Sequence, residues 1–326
     1  MLKIDGSSLE GGGQIVRSAV ALSAVTGIPV EITRIRENRK QPGLRYQHCA
    51  AIRAVASACM GHTEGNEPGS SRLSFIPMDI RRTESSVAVG TAGSIPLVIQ
   101  AWLPVALVKG GVLEVTGGTE VPASPTIDYL EKVMIPALGA QGKRISVTVI
   151  RRGYYPSGGG IVQMKVKTGD PERIMITKER YSCGIRSCSS GLPPHVAERQ
   201  ASSAKVLLGK ELSRDIQVDI QRSHGVSKGS SCTVWCGAKG ASSLGRPGLP
   251  AERVGEAAAT DLIREIRSPG EVDPHLSDQL LLYLARFGGT YTAPVYTLHA
   301  RTMCWLLSLF GFEIHVREGE EVEFSA

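Results

Sequence analysis

Four times along the chain an apolar segment of helical length runs up to a glycine, and a short β-branched stretch follows. The four are Ile15–Thr26, Gly27 and Pro29–Ile35; Thr91–Val108, Gly110–Gly111 and Val112–Thr116; Pro125–Leu138, Gly139 and Ile145–Ile150; and His299–Phe310, Gly311 and Phe312–Val316. Glycine ends a helix well because it enters the left-handed conformation at no steric cost. A helix and a strand of this size cannot bury their apolar faces alone, so the recurrence predicts similar modules packed together in an α/β (α+β) fold. Gly43–Met60 fits one more helix, with Leu44, His48, Ile52, Val55 and Cys59 on a single stripe.

The pattern is interrupted from about Lys178 to Gly270, a stretch richer in serine that carries most of the cysteines. It reads as strand Tyr181–Ser187, helix Pro194–Leu208, strands Ile216–Ile220 and Ser231–Cys236, and helix Ala251–Ile266, closed by Arg267-Ser-Pro-Gly270. The expected organisation is a main repeat domain over 1–178 and 271–326, with a small α/β domain inserted at 179–270.

The 326 residues suffice for a large core, and 42% hydrophobic against 21% charged residues is a globular balance. Aromatics at 5% argue against a broad base-stacking platform, while a net charge of +6 mildly favours an anionic partner. Seven cysteines over this length do not resemble a disulfide framework. Cys183, Cys188, Cys232 and Cys236 read either as a zinc set with unusual spacing or as buried reduced thiols, and the thiols are expected. Met1 is not followed by a charged-then-apolar leader, and no apolar run reaches spanning length. A cytoplasmic protein with no membrane partner and no obligate protein partner is expected.

Glu10-Gly-Gly-Gly-Gln-Ile-Val-Arg17 leads into the first helix. Free N–H groups at a helix start, with no side chain in the way, suit an anion. Arg17, Arg34, Arg36, Arg39, Lys40 and Arg45 are placed to add charge there. A second cluster, Arg152-Gly-Tyr-Tyr-Pro-Ser-Gly-Gly-Gly160, is either a tight connection between strands Ile145–Ile150 and Ile161–Val166 or a close contact with a ligand or another domain. Neither a P-loop nor a dinucleotide-binding glycine fingerprint occurs. Lys3-Ile-Asp-Gly6 matches the short lysine pattern of nucleotidyl-transferring ligases, but reads as a first strand and turn.

His299, in Tyr296-Thr-Leu-His-Ala-Arg-Thr302, stands where an extended segment enters the last long helix. A helix start lowers an imidazole pKa, and a neutral imidazole is a nucleophile; an ordinary surface or core histidine is the other reading. Asp278 is expected to start a helix over Leu280–Phe287. There Ser277 or Asp278 would be an N-cap, or Asp278 a carboxylate that orients an imidazole.

Together these segments resemble the RNA 3′-terminal phosphate cyclase family. The resemblance rests on Asp5-Gly6 with Glu10 to Ser18, on Arg36-Glu-Asn-Arg39-Lys-Gln-Pro-Gly-Leu-Arg45-Tyr-Gln47-His48, and on Thr91 to Gln100. It continues through Gly117-Gly-Thr-Glu120, Arg152 to Gly160, Pro194 to Arg199 and Ser277 to Leu280. It implies repeated α/β units with helices on four-stranded sheets, an architecture the enolpyruvyl transferases share, plus an inserted α/β domain. It also implies ATP-dependent conversion of RNA 3′-phosphate ends to 2′,3′-cyclic phosphate through a histidyl-AMP intermediate on His299, with Mg2+ or Mn2+. By the same resemblance Arg17, Arg36, Arg39 and Gln47 would hold substrate phosphate. Gln100, Pro125, His275, Asp278 and Gln279 would bind ATP, and Glu10 would meet the metal. Where His275 stands the family often has an aromatic residue. The family also has a non-catalytic branch in ribosome assembly that lacks the histidine, and the same pocket would admit adenylylation of 5′-phosphate ends.

Overall fold

Leu2–Asp5 runs parallel to Val30–Thr33 because the helix Gly13–Thr26 carries the chain back between them. After the helix Tyr46–Cys59 the chain returns as a hairpin, His62–Glu64 and Leu73–Ile76, whose second strand joins Val30–Thr33 antiparallel. This is a computed structural model; it describes residues 1–139, 141–170, 172–176, 182–212 and 215–326.

The same pattern is drawn twice more. Thr83–Ala88 lies parallel to Gly111–Gly117 across the helix Ile95–Lys109, and Gly160–Val166 and Ile145–Arg151 complete that sheet. Ile174–Met175 lies parallel to Gly289–Ala293, with Val322–Ser325 and His315–Glu318 completing the third. Its helices are Pro274–Phe287 and Leu298–Leu309. Each sheet has four strands in the same order, and one continuous core joins all three units. Gly27 shows how a glycine ends the first helix: it sits at φ 74° and its N–H closes on Ser23 O.

Several boundaries differ from the sequence expectation. The second helix of the middle unit starts at Ile127, capped by Thr126, and contains a π turn at Leu130–Met134 before Ile135–Ala137. The last hairpin begins at His315 rather than Phe312. The helix carrying Asp278 starts at Pro274, and its cap is Asp273, whose carboxylate accepts from His275 N and Leu276 N at 2.9 Å. Neither Ser277 nor Asp278 is an N-cap: a proline at the first helical position started the helix a turn earlier.

Between Ile174–Met175 and the helix Pro274–Phe287 the chain forms a fourth sheet. Cys183–Ser190 lies parallel to Ile216–Ser223 and antiparallel to Gly229–Cys236, which pairs with Lys239–Leu244. Helices His195–Glu211 and Ala251–Arg267 cover one face, giving this inserted domain a core of its own around Ile185, Leu208, Val234, Val254 and Leu262. The expected strand start at Tyr181 and the expected boundary at 178/179 lie outside the described residues.

The other face of this sheet rests on the middle unit. Thr126 meets Thr233 at 3.0 Å, Tyr154 meets Ser231 at 3.3 Å, and Arg186 reaches Asp128 at 3.2 Å. The Arg152–Gly160 cluster belongs to this joint. Tyr154 N donates to Ser227 Oγ at 2.8 Å, and side chains on Gly158 and Gly159 would run into Ala92 and Val226. The cluster is the connection between the paired strands Ile145–Arg151 and Gly160–Val166, and it also makes this close contact with the fourth sheet's unit.

Cys183 and Cys236 are register partners on adjacent antiparallel strands and form a disulfide. That corrects the expectation of four reduced thiols. Fifty-three residues apart in sequence, the two become neighbours only through strand pairing. Cys188 and Cys232 are buried free thiols.

Candidate active site

Three helices from opposite ends of the chain meet around a cavity of about 350 Å³. The first helix contributes Gln14, Arg17, Ser18 and Ala21, one face at helical spacing. Pro274–Phe287 contributes His275, Asp278 and Gln279, and Leu298–Leu309 contributes His299 and Met303. The middle unit supplies Gln100, Met134, Ala123 and Pro125, and the loop before Tyr46 supplies Arg36, Arg39 and Arg45.

All eleven residues singled out in the sequence therefore line one cavity: Glu10, Arg17, Arg36, Arg39, Gln47, Gln100, Pro125, His275, Asp278, Gln279 and His299. Two of the six basic residues expected there do not. Arg34 is turned to Asp5, and Lys40 is exposed and absent from the lining. Lys3 is exposed on the strand Leu2–Asp5, outside the cavity.

The glycine run does more than clear space for a ligand. Gly11 is left-handed at φ 59°. A Cβ on Gly12 would overlap the Glu10 carboxylate, and one on Gly13 would overlap Nε2 of His48. The loop is thus bare so that a carboxylate and a buried imidazole fit against it. Gly12 caps the helix without a side-chain hydrogen bond, and Gly12, Gly13 and Gln14 all line the cavity, so no cap side chain competes there for the first N–H groups of the helix. Glu10 N is tied to Thr302 Oγ1 at 3.3 Å, fastening the loop to the last helix.

The basic loop is held by its own chain. Arg36, itself at φ 54°, donates to Gln41 O and Gly43 O at 2.8 Å. Arg39 is paired with the Glu10 carboxylate and donates to Glu10 O at 3.0 Å. Burial brings Arg17 down to about 10 despite Asp278, and burial with Arg45 nearby lowers Arg36. Guanidinium groups crowded this way are poised for an anion that relieves their repulsion. His48 is buried, and burial with Arg17, Arg36 and Arg45 holds it neutral; its Nδ1 accepts from Arg45 N at 3.0 Å.

On the opposite wall, Gln100 is the one polar residue inside the apolar helix Ile95–Lys109, and it donates to Gln279 Oε1 at 2.8 Å. Gln47 Oε1 accepts from Ser94 N at 3.1 Å, which fixes the start of that helix beside the basic loop. Burial, then Arg39, His275 and Arg17, lower the pKa of His299, so its imidazole is neutral near pH 7. Thr297 caps its helix. Burial pushes Asp278 up to about 7 even with Arg17 close by.

The family model described as RNA 3′-terminal phosphate cyclase matches residues 8–316. The chain belongs to the RNA 3′-terminal phosphate cyclase family. Curated proteins of that name are similar to it along nearly its whole length. The one from Methanosarcina barkeri is 43% identical, with 98% of each chain covered. The one from Methanococcoides burtonii is 42% identical over 95% of this chain and 94% of its own, and that from Pyrococcus furiosus is 42% identical over 99% and 98%. Among the described residues no helix is long and apolar enough to cross a membrane.

Two participants in this cyclase-family cavity escaped the sequence reading. Gln14 was quoted only as part of the glycine run, and His48 only as a helix-stripe residue and the end of the basic segment, neither with a role in the site. The signal for Gln14 was its spacing: it precedes Arg17 by three residues and Ser18 by four, so all three share a face.

Proposed function

We propose that the protein is an ATP-dependent RNA 3′-terminal phosphate cyclase, a ligase-type enzyme of RNA processing in the cytoplasm, working through a covalent histidyl-AMP. The supporting observation is a neutral His299 placed on the wall of a cavity that also holds Arg17, Arg36, Arg39 and Arg45. In this reading Nε2 of His299 attacks the α-phosphorus of ATP, and the bond to the bridging oxygen breaks to release pyrophosphate. An oxygen of the RNA 3′-phosphate then takes the adenylyl group and frees the histidine. The 2′-hydroxyl of the same ribose attacks the activated phosphorus, loses its proton and expels AMP, with its nucleophile already held at the reaction distance.

Arg17, Arg36 and Arg39, with Gln47, hold the phosphates, since forked donors fit terminal oxygens. Gln100, Pro125, His275, Asp278 and Gln279 enclose the nucleotide. Glu10 Oε2 is buried without a hydrogen-bond partner, while Oε1 faces Arg39. An anionic oxygen in that state fits a divalent cation, and magnesium commonly binds through one carboxylate plus phosphates. Mg2+ or Mn2+ held there would neutralise charge on the departing pyrophosphate.

The test is incubation with α-labelled ATP and magnesium. Acid-labile, base-stable label is expected on the wild type and on Lys3→Ala, and none on His299→Ala. Label that follows Lys3 would discard the histidine mechanism in favour of a lysine nucleophile, and no label on the wild type would discard it in favour of the non-catalytic branch.

A further inference from the structure

Gln14 spans the space between two residues 264 and 285 positions away in the chain. Its Nε2 donates to Asp278 Oδ2 at 2.7 Å, and its Oε1 lies 2.9 Å from Nδ1 of His299. Above its titration near 7 Asp278 is an ionised carboxylate that only accepts, so there the amide presents its NH2 to Asp278 and its oxygen to the imidazole. An amide oxygen also only accepts, so Nδ1 must carry the proton. In a neutral ring that leaves the lone pair on Nε2. Of the charged groups that act on His299, Arg39, His275 and Arg17, the two guanidinium groups are pure donors and cannot receive the Nδ1 proton, and the partner at Nδ1 is Gln14 rather than His275. All three partners sit on helices, which hold positions better than loops do.

We propose that Gln14 is the positioning residue of the nucleophile: polarised by Asp278, it locks His299 in the tautomer whose Nε2 is free to attack. The inference rests on reading His299 as the nucleotidylated residue. It also accounts for an amide at this position. When the N–P bond forms, the ring becomes cationic and keeps its Nδ1 proton, because an amide oxygen is too weak a base to remove it. The adenylyl group is thus left on an imidazolium, a good leaving group for transfer to the RNA phosphate. A carboxylate in the place of Gln14 would draw that proton away and slow the transfer.

The test uses the full chain with 15N-labelled histidine, with the His299 signals assigned from the His299→Ala spectrum. Without nucleotide, the wild type should show a protonated Nδ1 and an unprotonated Nε2 at His299. Gln14→Leu should show a mixture of tautomers and lose roughly 10- to 100-fold in the rate of self-labelling, the usual cost of removing a histidine's orienting partner. The paired exchange Gln14→Glu with Asp278→Asn keeps an acceptor at Nδ1 and a donor behind it. It should regain the tautomer and most of the labelling while transfer to RNA lags. A single Nδ1–H tautomer in Gln14→Leu, or labelling at the wild-type rate, overturns the proposal. If Gln14→Leu does not fold, the paired exchange decides: a fixed tautomer supports the role and a mixed one overturns it. Absence of label on wild-type His299 would overturn the adenylylation reading instead, and the spectra, recorded without ATP, still judge Gln14.

Discussion

Arg152 grips Asp128 with both arms of its guanidinium, two hydrogen bonds of 2.8 Å between side chains that are both buried. The same guanidinium reaches Glu120 at 2.5 Å and, in the inserted domain, Gln221 at 2.8 Å. Asp128 also takes Arg186 of that domain. Burial pushes Glu120 up to about 7, whereas Arg152 and Arg186 overcome burial and hold Asp128 below its ordinary value. Arg152→Ala leaves Glu120 without its cation and Asp128 with Arg186 alone. It should cost about 3–5 kcal/mol of stability, read by urea unfolding. A loss under about 1 kcal/mol would show that the joint does not depend on this network.

Gly13→Ala should be destabilising although alanine is the better helix former by about 1 kcal/mol. The added methyl overlaps the ring of His48, which is buried and cannot withdraw, so a cost of about 1–3 kcal/mol is expected. In Gly13→Ala with His48→Ala the clash is gone, and the two effects should fail to add by at least about 1 kcal/mol in a double-mutant cycle. Simple additivity would remove His48 as the reason for the glycine.

Asp278 should make the protein less stable as pH rises. Its carboxyl titrates near 7 when folded and at the ordinary 3.8 when unfolded. Between those values the folded state holds the extra proton, so stability falls across that window and levels off above it. Asp278→Asn abolishes the titration. Relative to wild type its unfolding free energy should be higher at pH 8 than at pH 4, by an amount whose ceiling is about 4 kcal/mol at 1.36 kcal/mol per unit. A difference independent of pH would refute the buried charge.

Arg39→Ala should slow cyclisation of an RNA 3′-phosphate about 10-fold more than it slows self-labelling, the equivalent of one charge-assisted hydrogen bond. Single-turnover rates of the two steps supply the comparison. Equal loss in both would move Arg39 from the RNA phosphate to the nucleotide.

The repeated module was legible because each copy writes its own local rules: an apolar helix, a glycine that accepts φ near 74° at Gly27, and a β-branched strand. The cavity residues were legible as segments because cations, glycines and a helix-start histidine are chemically unusual neighbours. Chain order also fixed the helical face of Gln14, Arg17 and Ser18, since spacing alone decides that. What no local rule contains is a partner 264 or 285 residues away. The Gln14 bridge from Asp278 to His299, the His48 ring behind Gly13 and the Cys183–Cys236 disulfide exist because separate strands and helices pack side by side. Arg34 and Arg39 look alike in the sequence, yet one is turned to Asp5 and the other lines the cavity, a choice made by the path of a loop through space.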